Sequence, residues 1–539
     1  MLMSIFAILV LPTISELFKP GFFLTQDGNY FLIRFGQFHI ALRDGQIPPR
    51  WAPVLNQGFG YPVLIFYYPG AYMFGEFFYL LGFGLVNSFK IVMGLSMILG
   101  ATFMYLWQYH LWKSKIASFA SALIYTWAPY RFLDIYVRGS VGEAFIFVFL
   151  PLLFWSVKIG GGIGLALGGL SLAGSLLSHN ILGAIIVPVF LMFGVSKSIF
   201  FKEKKYFIRV LISTILGIVI SSFFWVPAIF EKSYTNLDSV RVNDFFEQFL
   251  YIKQLFISNP GFGPSKSGPD DMMSFEVGVA IWLSVLMAFF FILFKRKLLD
   301  QTQRFYLLFS IFIFIVSVFM MTSYSDFVWR MARFYYFVQY PWRLLFLTVF
   351  FGSIISSVVL VSLKNHRYKL IASVVFVSLA VGSFPSFFAI NKERQLADGF
   401  FFTNPSTTVV ASEVNPKWMQ RSPDNYAFEK IKSNEQIVVN DSKVKSNYQE
   451  FKIKALGDTV LQNNTLYFPG WKAYVDGKEV EINYNNDLGQ ITFPVEKGDH
   501  NIVLRFGETK VRQIGDFATV GGFCFVFLII IFRKKIKYV

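Results

Sequence analysis

Apolar runs close to twenty residues long recur throughout this chain, and few features restrict a fold more. The segments 90–111, 206–229, 276–294, 305–322, 344–363, 370–390 and 517–532 each approach the roughly 20 residues that a helix needs to cross a bilayer. Of the 539 residues, 55% are hydrophobic, 19% aromatic and only 15% charged, against roughly 25% charged in an average soluble domain. A soluble chain of this length would divide into domains with polar surfaces. The runs predict an α-helical polytopic membrane protein.

Charge then sets orientation. Basic clusters at Lys113/Lys115, Lys197/Lys202/Lys204/Lys205, Lys295/Arg296/Lys297, Lys364/Arg367/Lys369 and Arg533/Lys534/Lys535/Lys537 flank apolar runs, and such clusters mark cytoplasmic loops. The net charge of +16, from 49 basic and 33 acidic residues, therefore reads as orientation, and no nucleic-acid partner is expected. Alternation from the C-terminus continues through 180–196, 161–178, 143–158, 115–128 and 90–111, leaving the loop before Lys90 outside. Met1–Pro12 is apolar, with no preceding Lys or Arg and no small-residue cleavage site, so it reads as an uncleaved first span. The segment 62–83 is broken by Pro62, Pro69, Gly70, Gly75 and Glu76 and is rich in Tyr and Phe. It reads as interfacial, with Asp44 and Gly84 on the same external side. About twelve spans follow, in a cell-membrane protein with both termini cytoplasmic.

Three regions are expected: a bundle over 1–390 with a long first external loop (19–89), an extracytoplasmic connector and β-rich domain over 391–516, and a final helix with a basic tail over 517–539. From Gln449 to Phe506 polar and apolar residues alternate, and Asp476-Gly477 reads as a tight hairpin turn. A small β-sandwich is predicted there. The loop 231–275, with Pro260-Gly261 and Gly268-Pro269, is expected outside. One cysteine, Cys524, allows no internal disulfide. The five histidines lack zinc-type spacing, so no metal site is assigned, although a role for a divalent metal stays open.

Chemistry concentrates in the external loops. Asp27 precedes a helical pattern in which Asn29 is a plausible cap. Phe31, Phe35, Phe38 and Leu42 form one face, Arg34, Gln37 and Ala41 another, and Gly45 closes the helix. A short amphipathic helix at the membrane surface is expected, and a carboxylate placed just ahead of it costs desolvation unless it is used. The loop 129–143 carries Arg131 and Arg138, with Glu143 at the mouth of the next span. Either a local Arg–Glu pair fixes this loop, or its guanidinium groups capture an anion. Arg330, Arg333 and Arg343 add further external cations. His179-Asn180 is a polar break that is either a plain turn or part of a site. No phosphate-binding Gly-Lys-Ser/Thr loop, dinucleotide fingerprint or Asp-x-Asp pair occurs, so neither an ATP-driven pump nor a nucleotide-linked donor has a place to bind. No cofactor is assigned.

The strings Asp27-Gly28-Asn29-Tyr30…Arg34, Pro49-Arg50-Trp51, Phe66-Tyr67-Tyr68-Pro69, Tyr136-Val137-Arg138-Gly139…Gly142-Glu143, Ser178-His179-Asn180 and Pro341-Trp342-Arg343 resemble bacterial membrane proteins of the GT-C glycosyltransferase type. The nearest group carries the label of a 6-pyruvoyl-tetrahydropterin synthase-related membrane domain, although the histidines here do not supply a pterin synthase's zinc site. Tyr467-Phe468-Pro469-Gly470-Trp471…Asp476-Gly477-Lys478 resembles the β-domain of YfhO-like membrane proteins. Phe31 stands where many relatives carry His. The resemblance implies inverting transfer of a sugar from a polyprenyl-phosphate carrier to an extracytoplasmic glycan or other envelope acceptor, with membrane lipids as surroundings. It implies Asp27 as base, with Glu143 the second candidate catalytic carboxylate. Arg138, Arg343 and Arg50 are the candidate phosphate cations, Trp51, Tyr67 and Tyr68 offer flat faces, and His179 and Asn180 complete the substrate-binding set. A non-catalytic scaffold or export protein for envelope glycan, or a lipid-linked-glycan flippase, is the alternative reading.

Overall fold

The computed structural model describes residues 6–533, apart from residue 7 and the stretches 239–244, 258–260, 262, 264, 267, 384–393, 396 and 410–412. Pro260, the end of the 370–390 run and the tail lysines Lys534, Lys535 and Lys537 thus lie outside the described residues. Each of the twelve apolar segments carries a helix, but their lengths differ. Leu85–Trp112, Val141–Ile159, Gly161–Ser178, Asn180–Phe201, Gln301–Met321, Pro341–Ser362 and Lys510–Ile531 are long and apolar enough to cross a membrane. Lys205–Ile220 and Ser222–Tyr234 make an eighth span if this pair, bent by 69°, counts as one. Ile8–Phe18, Lys115–Thr126, Val279–Phe294 and His366–Gly382 are shorter. Among the described residues seven or eight of the twelve expected segments thus reach full spanning length, because an apolar run does not reveal where its helix stops. Pro129 follows one short helix, and Gly278 at φ 104° precedes another.

The bend has identifiable causes. The Ser221 hydroxyl donates to the Gly217 carbonyl at 2.8 Å and that of Ser222 to Ile218 at 3.1 Å, competing with the helical ladder. Pro227 has no N–H to give to the carbonyl of Phe223 four residues back. That carbonyl instead receives Nη1 of Arg50 at 2.7 Å.

The segment 62–83 holds no helix long enough to cross a membrane. It forms Val63–Phe66 and Gly70–Leu80, the latter only 11 residues long. Gly70–Leu80 packs on Leu85–Trp112 and exposes Met73, Phe74, Phe77 and Leu80, as a helix lying in the lipid interface would. A test uses Arg43 and Asn87, which flank the segment and are exposed. In a chain with Cys524 replaced by Ser, Arg43→Cys and Asn87→Cys should both react with an impermeant maleimide on intact cells. Protection of one alone would place the segment across the membrane.

The first loop departs from expectation. Gly28–Arg43 is not a surface helix, because Arg34, Gln37 and Ala41 are buried as well as Phe31, Phe35 and Phe38. The connector after the bundle covers the second face: Arg34 Nη2 donates to the Thr408 carbonyl at 3.3 Å and Gln37 Nε2 to that of Phe402 at 3.2 Å. Asn29 does not cap this helix. Asp27 occupies the cap position without a side-chain cap bond, and the Thr25 hydroxyl accepts the Gly28 N–H at 3.0 Å.

The C-terminal β-domain is built from two antiparallel sheets. One orders Ile437–Val444, Tyr448–Ala455, Gly498–Phe506, Trp471–Val475 and Lys478–Val480, and the other Ile431–Ser433, Thr459–Leu466 and Gln490–Val495. Alternation buries Phe451, Ile453, Ile502 and Leu504 from the first sheet, and Leu461, Ile491 and Phe493 from the second. Gln449 crosses between the sheets, donating to the Thr465 hydroxyl and accepting from Asn463, both at 2.9 Å. Asp476 and Gly477, with φ of 49° and 82°, form the expected two-residue hairpin connection. The domain docks through Trp51, whose ring lies 5.7 Å from Trp471 and 5.3 Å from Phe506. A buried Glu231–Arg512 pair at 2.9 Å ties the base of the last helix to the bundle.

Candidate functional site

The site begins with a distortion in the backbone. Leu133–Arg138 winds as a π-helical turn, a rare conformation associated with functional positions. Gly139, at φ 67°, ends it, and a Cβ there would stand 2.4 Å from the Thr25 hydroxyl and 2.8 Å from the Gly28 Cα. Only glycine permits that approach. The first loop is consequently pinned to the turn: the N–H groups of Gln26 and Asp27 donate to the carbonyls of Val137 and Arg138 at 3.0 and 2.8 Å.

Arg138 emerges among three carboxylates. Its Nη1 meets Glu143 Oε2 at 2.6 Å and Asp134 Oδ1 at 3.2 Å, and its Nη2 lies 3.8 Å from Asp27 Oδ2. The guanidinium sits over the Trp342 ring at 4.8 Å. Glu143 is the hub. The Tyr130 hydroxyl donates to its Oε2 at 2.8 Å, while Oε1 faces His179 Nε2 at 3.3 Å and Arg343 Nε at 3.5 Å. Arg343 is steadied by Gln339 Oε1 at 2.6 Å and stacks against Tyr340. Residues from four separate stretches, Asp27, Arg138/Glu143, His179 and Arg343, therefore converge in one cluster.

Burial divides the carboxylates. The Glu143 and Asp134 side chains are wholly buried, whereas that of Asp27 is 45% exposed. Burial, reinforced by the neighbouring Glu143, pushes the Asp134 carboxyl well above the usual carboxylate range. Burial disfavours the Arg138 charge, but Glu143 and Asp134 outweigh it and hold the guanidinium protonated.

His179 is neutral for a geometric reason. Its Nδ1 accepts the Leu182 N–H at 3.3 Å, capping the next helix, which leaves the proton on Nε2 towards Glu143. Burial pushes this imidazole down to about 4, against the pull of Glu143. A folded value below the unfolded one, roughly 6.5, means that the unfolded chain takes up the proton first. The stability contributed by His179 is thus complete above about 6.5 and lost as pH falls towards about 4. Relative to His179→Gln, which takes up no proton, the wild-type melting temperature should fall over that window. A constant difference between the two proteins would contradict the assignment.

Arg34 joins the site although spacing arguments left it on a helix face. It is buried over the Tyr67 and Phe31 rings at 4.1 and 4.6 Å, and its Nε and Nη1 have no hydrogen-bond partner among the described residues. The available signal was its place seven residues after Asp27, two helical turns along the same face. Tyr67 donates to Glu413 Oε1 at 2.6 Å, and Tyr68 packs on His179 with ring centroids 4.7 Å apart. Other candidates lie elsewhere. Arg50 is consumed by Asp516 at 2.9 Å, Glu508 at 3.4 Å and the Phe223 carbonyl, and Trp51 belongs to the β-domain contact. Asn180 is exposed, and its side chain accepts the N–H of Ile181 at 2.9 Å. Arg131 turns inward onto the Phe147 ring and the Ser96 carbonyl. Among the described residues, no three His, Cys, Asp or Glu side chains are grouped as metal ligands would be.

No family model matches the chain. An uncharacterized protein of Lactococcus lactis subsp. cremoris (strain MG1363) is 25% identical over 224 residues, which is 39% of this chain and 36% of that relative's length. Among solved structures, the apo oligosaccharyltransferase of Archaeoglobus fulgidus is similar with a TM-score of 0.42 and 12% identity, over 77% of this chain and 57% of that one. ArnT from Cupriavidus metallidurans, bound to undecaprenyl phosphate, is similar with a TM-score of 0.39 and 12% identity, over 74% of this chain and 67% of that one.

Proposed function

We propose that this multi-pass membrane protein is a glycosyltransferase that moves a sugar from a polyprenyl-phosphate carrier to an extracytoplasmic envelope glycan, with inversion. The observation that carries this reading is the division of labour among the three carboxylates. Asp27 alone has an open side, and it stands 3.8 Å from a guanidinium that the two buried carboxylates hold in place. An acceptor hydroxyl beside Asp27 attacks the anomeric carbon and the new C–O bond forms as the bond to the carrier phosphate breaks. The hydroxyl proton passes to Asp27 and the electron pair leaves with the phosphate. A positioned base contributes about 10²–10⁴-fold.

The departing lipid phosphate needs cations rather than an acid. Arg138 and Arg343 supply them, with the unfilled N–H groups of Arg34 as a third donor set. Glu143 is a positioning residue in this scheme, since its contacts are all with the site's own side chains. The test uses purified protein with a panel of polyprenyl-phosphate sugars and envelope glycan as acceptor. Transfer by the wild type, with donor binding weakened about tenfold or more in Arg343→Gln, is expected. Wild-type protein that binds such donors without transferring the sugar would instead favour a scaffold or flippase.

A further inference from the structure

We infer that a groove on the β-domain, remote in sequence from Asp27, is a binding site for a neutral oligosaccharide. The groove has a volume of about 550 Å³, within the ~300–1,000 Å³ typical of small-molecule sites. Its floor is a set of planar amides locked to one another. Gln490 Nε2 donates to Asn464 Oδ1 at 2.6 Å, and Gln462 Nε2 reaches both Asn464 Oδ1 at 3.2 Å and Gln490 Oε1 at 3.1 Å. Its wall carries Tyr426 and Phe428, with ring centroids 5.0 Å apart at an interplanar angle of 60°.

Phe428 is the informative residue, because its ring is 88% exposed on a backbone that is firmly held. The Ala427 N–H donates to the Gln57 carbonyl at 2.9 Å, the Phe428 N–H to Tyr426 at 3.0 Å, and Asn464 binds the carbonyls of Lys430 and Glu429 at 2.8 and 2.7 Å. A fixed segment that holds a phenyl ring out in water gains nothing from it in folding. The charges at the rim cancel in pairs, Arg421 with Asp424 at 3.1 Å and Lys432 with Glu429 at 3.7 Å. An anionic or cationic ligand would find no net attraction. A ligand with hydroxyl groups for the amides and apolar C–H faces for the rings fits both surfaces, and a sugar chain has both. This inference stands independently of the catalytic assignment, because it concerns binding at a different place.

Full-length protein in lipid nanodiscs, probed on an array of neutral and anionic glycans, tests it. Retention of one or more neutral glycans is expected, with affinity lowered about tenfold or more by Phe428→Ala and by Gln462→Ala. Phe428→Ala removes an exposed ring and should leave the melting temperature unchanged, so its effect reports on binding. The site is overturned if no neutral glycan is retained, if only anionic glycans are, or if Phe428→Ala binds as the wild type does. Loss of retention in Asp27→Asn would also overturn it, by placing the glycan in the bundle.

Discussion

Asp27→Asn is expected to lower sugar transfer by about 10²-fold or more while leaving donor affinity and the melting temperature nearly unchanged. The substitution keeps size and hydrogen-bonding capacity and removes the proton acceptor. Folding should tolerate it because Asp27 is half exposed and Arg138, 3.8 Å away, is already paired with Glu143 at 2.6 Å. A base acts mainly in the transition state, so the loss should appear in kcat rather than in KM. Undiminished transfer by stably folded Asp27→Asn protein would remove Asp27 from the chemistry.

Glu143→Ala should produce the opposite pattern, a failure of structure first and of activity as a consequence. The side chain is wholly buried and answers Arg138, His179, Arg343 and Tyr130 together. Its removal leaves the Arg138 guanidinium with the longer contacts to Asp134 at 3.2 Å and Asp27 at 3.8 Å, and takes the one carboxylate from beside His179 and Arg343. Breaking a buried ion pair by deleting one partner costs about 3–5 kcal/mol. A large drop in melting temperature in detergent is expected, with transfer lost in parallel. Glu143→Gln should recover part of the stability, since the amide still accepts from Arg138 and Tyr130, without restoring full activity. A Glu143→Ala protein as stable as the wild type yet inactive would mean that Glu143 acts on substrate directly.

The two variants separate a residue that performs the reaction from one that holds the site, a distinction absent from the sequence. Both were legible as candidates, because a carboxylate beside an apolar span is costly wherever it occurs. What distinguishes them is exposure, and exposure depends on which other segments pack over each residue. Arg50 and Arg343 looked equivalent as external arginines beside a tryptophan. Pro227, 177 positions after Arg50, leaves a carbonyl that helps to consume one of them, and no local pattern announces that.

By itself the sequence determined the membrane class, the location of its helices, the break of 62–83 into short helices, and the two-sheet β-domain with its Asp476-Gly477 turn. These follow from local quantities: the length of an apolar run, a break by proline and glycine, and the period-two alternation of a strand. Helix lengths, the burial of Arg34 on Gly28–Arg43, and the convergence of Asp27, Arg138, Glu143, His179 and Arg343 were decided by tertiary structure alone. The reason is one of range. Hydropathy acts on each segment by itself, whereas the partners of a buried charge come from segments hundreds of residues apart, and only packing brings them within reach of one another.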